Sequence, residues 1–321
     1  MHRCKVRSHK SEIITREEYE HHEARVADDS FYHAVKIARK QVMGKEWEPE
    51  MYWYEKDFHL PMRRNVFGLF IVPVMINHVR CRFIVDTGAQ ISGIKAAKVQ
   101  ETQLRKSEGT LSIGSIGGKN KVMQGLCADS FQLGGVEFRQ LPMIELDKDD
   151  FSLRFGTVDL FNFDGILGWD LLSQLDFELD DITGTFKVMT NRLKIEHPNM
   201  IMGGFPCMIT RMKSGETALF GFDSGSKYSW IGEEEAKKQK LTITKEGNVL
   251  GFGVHGLEQM ELKCIDQMEC YLDKAQINLR DTMSGRVQIF HHFTFTGVLG
   301  NEIFRGRRIR FINSRSMVLL A

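Results

Sequence analysis

Two aspartates, Asp86 and Asp223, each close an apolar run, and each is followed by a hydroxyl residue and a glycine. The first stretch reads Phe83-Ile84-Val85-Asp86-Thr87-Gly88-Ala89, and the second Phe220-Gly221-Phe222-Asp223-Ser224-Gly225-Ser226. β-Branched and aromatic residues in such a run predict a buried strand, with the carboxylate on the turn that leaves it. A carboxylate there is costly unless it is paired or used. Singly, Asp-[Thr/Ser]-Gly is also an ordinary turn sequence. As a pair the two offer chemistry. Carboxylates brought within hydrogen-bonding distance cannot both ionise cheaply, so they share a proton. One is then a general base and the other a general acid on either side of a water. The base takes a proton as the water attacks a carbonyl, and the acid protonates the carbonyl oxygen. Such a pair needs no nucleophilic side chain, metal or cofactor, and none is expected.

The framework around the two aspartates repeats, which is what must bring them together. Phe70 to Ile76 predicts a strand, Asn77-His78 a turn, and Arg80 to Val85 the return strand ending at Asp86. A glycine-rich hairpin, Leu111 to Asn120, follows, with further strands at Phe131 to Phe138 and Leu141 to Leu146. Ile166-Leu167-Gly168 is then an apolar run entering a short helix, and Phe177 to Val188 closes as a hairpin through Thr183-Gly184. The order restarts with a strand from Phe205 to Thr210, a turn at Lys213-Ser214-Gly215, the run into Asp223, and a glycine-rich segment from Gly251 to Gly256. Val298-Leu299-Gly300 repeats the helix entry, and Ile309 to Leu320 closes through Asn313-Ser314. Asp86 lies 82 residues before Gly168, and Asp223 lies 77 before Gly300. Four matched landmarks at such similar spacing argue for a duplicated unit with a pseudo-twofold axis between its copies.

Asp86-Thr87-Gly88-Ala89 and Asp223-Ser224-Gly225-Ser226 resemble the two active-site motifs of the aspartic proteases. Ile166-Leu167-Gly168 and Val298-Leu299-Gly300 resemble that family's apolar-apolar-Gly motif, and Ile113-Gly114-Ser115-Ile116-Gly117-Gly118 resembles the flap tip of its retroviral members. The resemblance spans about residues 66–321 and implies two retroviral-type lobes fused in one chain, so that a monomer carries a full site. It implies Asp86 and Asp223 as the catalytic dyad. Thr87 and Ser224 would hydrogen-bond across the axis, with Gly88, Gly225 and Ser226 supporting the loops. The two glycines would admit the substrate backbone, since they lack a Cβ. The flap would comprise Ile113, Gly114, Ile116, Gly117 and Gly118, with Gly253 and Gly256 as its counterpart in the second lobe. An extended peptide would be held largely through its backbone.

There are departures from the family pattern. Trp169 and Asn301 stand where the retroviral enzymes carry an Arg, which leaves the packing between lobes to other residues. The loops differ at Ala89 and Ser226. A hydroxyl at Ser226 could stabilise an ionised carboxylate, so Asp223 is expected to be the more readily ionised member.

The expected fold is mainly β, a two-lobed acid-protease barrel. Its parts are a charged, partly helical N-terminal extension (1–64), a first lobe (65–195) and a second lobe (196–321). The extension predicts one or two amphipathic helices between Lys10 and Lys45, ending near Gly44, and then an aromatic stretch (Trp47, Tyr52, Trp53, Tyr54, Phe58) that docks on the body. A formal net charge of +1 points to neither nucleic acid nor membrane. The start lacks an apolar secretory core, no apolar run approaches the ~18 residues of a spanning helix, and six scattered cysteines read as reduced thiols. The expectation is a cytoplasmic peptide hydrolase acting on peptide or protein substrates. His21-His22 and His291-His292 lack metal-ligand spacing, so no metal is expected. A silent module binding extended peptides is the alternative. An extension that covers the cleft, or is itself the substrate, is a further one.

Overall fold

The structure, a computed structural model, describes residues 29–114, 120–147, 154–155, 158–159, 161–190, 198–202, 205–253, 256–285 and 296–321. The fold is mainly β. Two closed sheets repeat one strand order. In the first, Gly93–Lys95, Gly165–Leu167, Val79–Val85 and Phe70–Ile76 run in succession to the hairpin Arg105–Gly114/Asn120–Leu133, and Val136–Leu146 closes the ring against Asn120–Leu133. In the second, Trp230–Gly232, Gly297–Gly300, Thr217–Asp223 and Pro206–Met212 lead to the hairpin Ile243–Gly253/Gly256–Leu272, closed by Ala275–Gly285. The strand that ends in each Asp lies parallel to the apolar-apolar-Gly strand: Ile84 faces Ile166, and Gly221 faces Val298. Closure leaves the strands buried on most positions, which is why they read as near-continuous apolar runs.

Local chemistry sets the turns. Asn77 and His78 both take positive φ between their strands, which asparagine tolerates best among residues with a side chain. Phe131 to Phe138 is not one strand. Gly134 (φ +56°) and Gly135 turn the chain there, and a Cβ on Gly134 would meet the Phe58 ring at 2.4 Å.

A third, five-stranded sheet joins the halves. Its order is Phe58–Pro61, Thr185–Val188, Asp176–Asp180, Arg308–Ile312, Met317–Leu320, with Phe177 facing Phe311 across the seam. Aromatic rings run through the seam: Phe70 stacks on Phe304 at 5.0 Å, and Phe311 lies 5.4 Å from Phe222, 4.8 Å from Phe177 and 6.1 Å from Trp169. Buried Glu178 and Asp180 are matched by Lys187, Arg308 and Arg310.

In the N-terminal region a single helix, Asp29–Met43, is described, and Gly44 ends it at φ +72°. Val35, Ala38, Val42 and Met43 bury its inner face. After it, Trp47 donates to the Gln140 carbonyl at 2.8 Å and Phe58 is buried. Glu50–Trp53 pairs as an antiparallel strand with Val136–Leu146, and Tyr54 bonds Gly135 and Glu137, so the stretch docks along its length through its backbone while Met51, Tyr52, Trp53 and Tyr54 keep exposed side chains. Among the described residues the cysteines are free thiols, and no helix is long and apolar enough to cross a membrane.

Candidate active site

The two strands deliver Asp86 and Asp223 onto facing turns. In each turn one carboxylate oxygen accepts two backbone N–H bonds. Asp86 Oδ1 takes those of Gly88 (2.9 Å) and Ala89 (3.0 Å), and Asp223 Oδ1 takes those of Gly225 (2.8 Å) and Ser226 (3.1 Å). The remaining face of each carboxylate meets the other loop. A Cβ on Gly88 would lie 2.6 Å from Asp223 Cγ, and one on Gly225 would lie 2.4 Å from Asp86 Cγ. Both glycines are therefore required by the opposing carboxylate itself, a closer constraint than the passage of a ligand backbone.

The loops are braced across the axis by a reciprocal set of four hydrogen bonds. Thr87 Oγ1 donates to the Phe222 carbonyl (2.8 Å) and accepts from Ser224 N (3.0 Å). Ser224 Oγ donates to the Val85 carbonyl (2.7 Å) and accepts from Thr87 N (3.0 Å). Both side chains are fully buried, so each hydroxyl satisfies a backbone donor and acceptor that have no water to turn to.

Burial raises both carboxyl groups above their ordinary range, and for Asp86 the Asp223 charge and the hydrogen bond between the two side chains add to the rise. The backbone N–H groups oppose the rise on both sides. Carboxyl groups placed this way cannot both ionise cheaply. Ser226 does not act as its sequence suggested: its hydroxyl donates to the Tyr228 carbonyl at 2.8 Å, while its N–H, like that of Ala89, serves the carboxylate. The Ser226 hydroxyl is therefore not what favours an ionised Asp223, although Asp86 is raised further than Asp223, the expected direction.

A second layer beneath the loops is built from residues outside the two motifs. Ser92 lies six residues after Asp86, and Ser229 six after Asp223; Asp170 lies two after Gly168, and Glu302 two after Gly300. Ser92 Oγ accepts from Gly168 N (3.0 Å) and donates to Asp170 Oδ1 (2.8 Å). In the other half Ser229 Oγ accepts from Gly300 N (2.9 Å), and Ser229 N donates to Glu302 (2.6 Å). These matched spacings, repeated in both halves, were the available signal. Asn301, at a position where the resemblance led one to look for Arg, bonds the carbonyls of Ser224 and Gly68 (3.2 Å each). It also accepts from Arg64 (3.1 Å), whose guanidinium pairs with Asp181 and stacks on Phe70. Arg64, on the short strand paired with Phe70–Ile76, thus adds a contact to Asn301 of the second half.

Gly114 pairs with Asn120 at the end of the first hairpin, and Ile113 packs with Ala89 and Phe67 against one apolar cluster. Ile116, Gly117 and Gly118 lie outside the described residues. Gly253 and Gly256 face each other at the end of the second hairpin. His21, His22, His291 and His292 are also outside the described residues, and among those described no cluster of His, Cys, Asp or Glu could hold a metal.

Residues 72–171 match a protein-family model described as aspartyl protease. That segment includes Asp86 and Gly168 and ends before Asp223. No curated protein matches the chain.

Proposed function

We propose that this chain is an aspartic endopeptidase that hydrolyses peptide bonds with a water activated between Asp86 and Asp223. The observation that carries this reading is the pair of facing loops, each lacking a Cβ where the other's carboxylate sits. One carboxylate without a proton accepts from the water as it attacks the peptide carbonyl, while the protonated partner donates to the carbonyl oxygen. The tetrahedral adduct then collapses as the amine leaves with a proton from the dyad. Fixed backbone N–H bonds hold each carboxylate in place before the reaction, so little reorganisation is needed. The two hairpins serve as flaps over an extended peptide, and the two closed sheets are fused lobes of retroviral type, residues 65–195 and 196–321.

The test is cleavage of a mixed peptide library from acid to neutral pH, with and without a statine-type transition-state mimic. Asp86→Asn and Asp223→Asn are each expected to lower kcat by about 10³-fold or more while leaving the chain folded. A folded wild-type chain that cleaves nothing, yet retains extended peptides, would replace this reading with that of a binding module.

A further inference from the structure

Helix Asp29–Met43 is built into the first half rather than laid over it. Ser107 of the Arg105–Gly114 strand donates its hydroxyl to the Val42 carbonyl. A Cβ on Gly109 would sit 1.7 Å from the Gln41 carbonyl oxygen, and one on Gly125 would sit 2.3 Å from that of Val42. Two glycines of the first hairpin thus make room for the end of the helix. From this anchored helix Arg39 reaches inward and is only 7% exposed. Its Nη2 donates to the Asp170 carbonyl (3.3 Å) and its Nη1 to Glu48 (3.0 Å). Arg39 Nε and Asp170 Oδ2 are both buried without a hydrogen-bond partner. No ion pair within 4.0 Å joins the two side chains, but the backbone bond holds the guanidinium near the Asp170 carboxyl, whose ionised form its charge favours against the effect of burial.

Asp170 leads directly to the dyad loop. Its Oδ1 accepts from Ser92 Oγ, which orients that hydroxyl's lone pair toward Gly168 N; the next amide, Trp169 N, donates to the Ala89 carbonyl at 2.7 Å, and Ala89 N donates to Asp86. An anion at Asp170 keeps Ser92 as donor, and a buried cation keeps that anion tolerable. Among the described residues the second half shows no buried counterpart to the helix cation: Glu302 is only partly buried, and Arg305 and Lys227 act on it from exposed positions.

We propose that Arg39 is a positioning residue of the active site, holding the Asp86 loop from the N-terminal helix through Asp170 and Ser92. The N-terminal helix is then a working part of the first lobe, and its removal would loosen the dyad rather than uncover it. This rests on the protease reading for its kinetic consequences but not for its structural ones.

The experiment compares full-length wild type, Arg39→Met, Arg39→Lys, Asp170→Asn and the double variant R39M/D170N. The readouts are kcat and KM on a cleaved library peptide, and backbone hydrogen exchange over residues 86–93 and 166–172. R39M is expected to lower kcat about tenfold or more with KM within about twofold, and to speed exchange in both segments. R39K is expected to retain part of the effect. In R39M/D170N the buried anion is gone and an amide oxygen still accepts from Ser92, so kcat and exchange return toward wild type. If R39M matches wild type, or if the double variant is as impaired as R39M, then Arg39 only anchors the helix and the proposal fails. Should R39M not fold, R39K with and without D170N carries the same comparison. A wild type without turnover would overturn the protease reading alone, because the exchange pattern still reports on the loop.

Discussion

Asp170 shows how one buried group couples stability to pH. Burial pushes its carboxyl up to about 6, against which Arg39 and the Ser92 hydrogen bond act in the opposite direction. A folded value above the unfolded one means that ionising Asp170 costs stability in the native state. That cost is in full force above about pH 6 and vanishes below about pH 4, amounting to roughly 3 kcal/mol in the order of magnitude. Asp170→Asn removes it. Urea unfolding is therefore expected to show the wild type gaining on D170N as pH falls from 7.5 to 4.5. A difference that stays constant over that range would mean that Asp170 does not titrate in the native protein. Neighbouring Ser92 explains why such a costly carboxyl is worth retaining in a folded chain: its hydroxyl has a fixed acceptor, and Gly168 a fixed partner.

At the scale of elements, the sheet between the halves carries a different pH signature. Burial tends to raise Asp180, but hydrogen bonds from Lys187 and Thr183 outweigh it and hold the carboxyl at about 2. Glu178 is likewise lowered: burial tends to raise it, and Lys187 and Arg310 more than offset that tendency. Here the folded value lies below the unfolded one, so the contribution to stability is present above about pH 4 and is lost as pH falls toward 2. Asp180→Asn is expected to cost about 1–3 kcal/mol at pH 7, since it leaves Arg308 and Lys187 facing a neutral group. The loss should shrink between pH 4 and 2, as followed by circular dichroism in urea. These elements also show what could be read in advance. Strand Phe70–Ile76, the turn at Asn77-His78, both Asp loops and the hairpin through Gly184 were legible because apolar runs and turn residues are local signals. Phe131 to Phe138 reads as one strand because both ends are apolar strand formers, whereas Gly134-Gly135 turns the chain between them. The layer of Ser92 and Asp170, and the insertion of Arg39, join residues 78 and 131 positions apart. Periodicity carries no information on such contacts, although the +6 and +2 spacings around the repeat did mark where to look. The facing of Gly88 and Gly225 on opposite carboxylates follows only once the two halves are in contact.

For the whole molecule, the decisive feature is that the facing Asp86 and Asp223 loops belong to one chain. The hydrogen bonds of Thr87 and Ser224 are intramolecular, and the joining sheet draws three strands from before residue 190 and two from after 307. A homodimer of single-Asp subunits loses its site when it dissociates, because each carboxylate depends on a partner subunit. Here the effective concentration of one loop for the other is set by the covalent chain and by the aromatic seam from Phe70 to Trp169. The proposed monomer therefore has a consequence that is independent of substrate identity. Turnover per chain should be unchanged on dilution over a hundredfold range, with sedimentation at the mass of one chain. Mixing separately folded Asp86→Asn and Asp223→Asn chains should restore no activity, since no exchange of halves is open without breaking the joining sheet. Activity that appears on mixing, and grows with total concentration, would instead show that the halves swap between chains and that the working unit is a dimer. Refolding the two variants together from urea sharpens the contrast. A swapped dimer formed that way would carry one intact dyad and one doubly substituted one, giving measurable activity. A monomer that closes on itself would give only the residual rates of the two single variants.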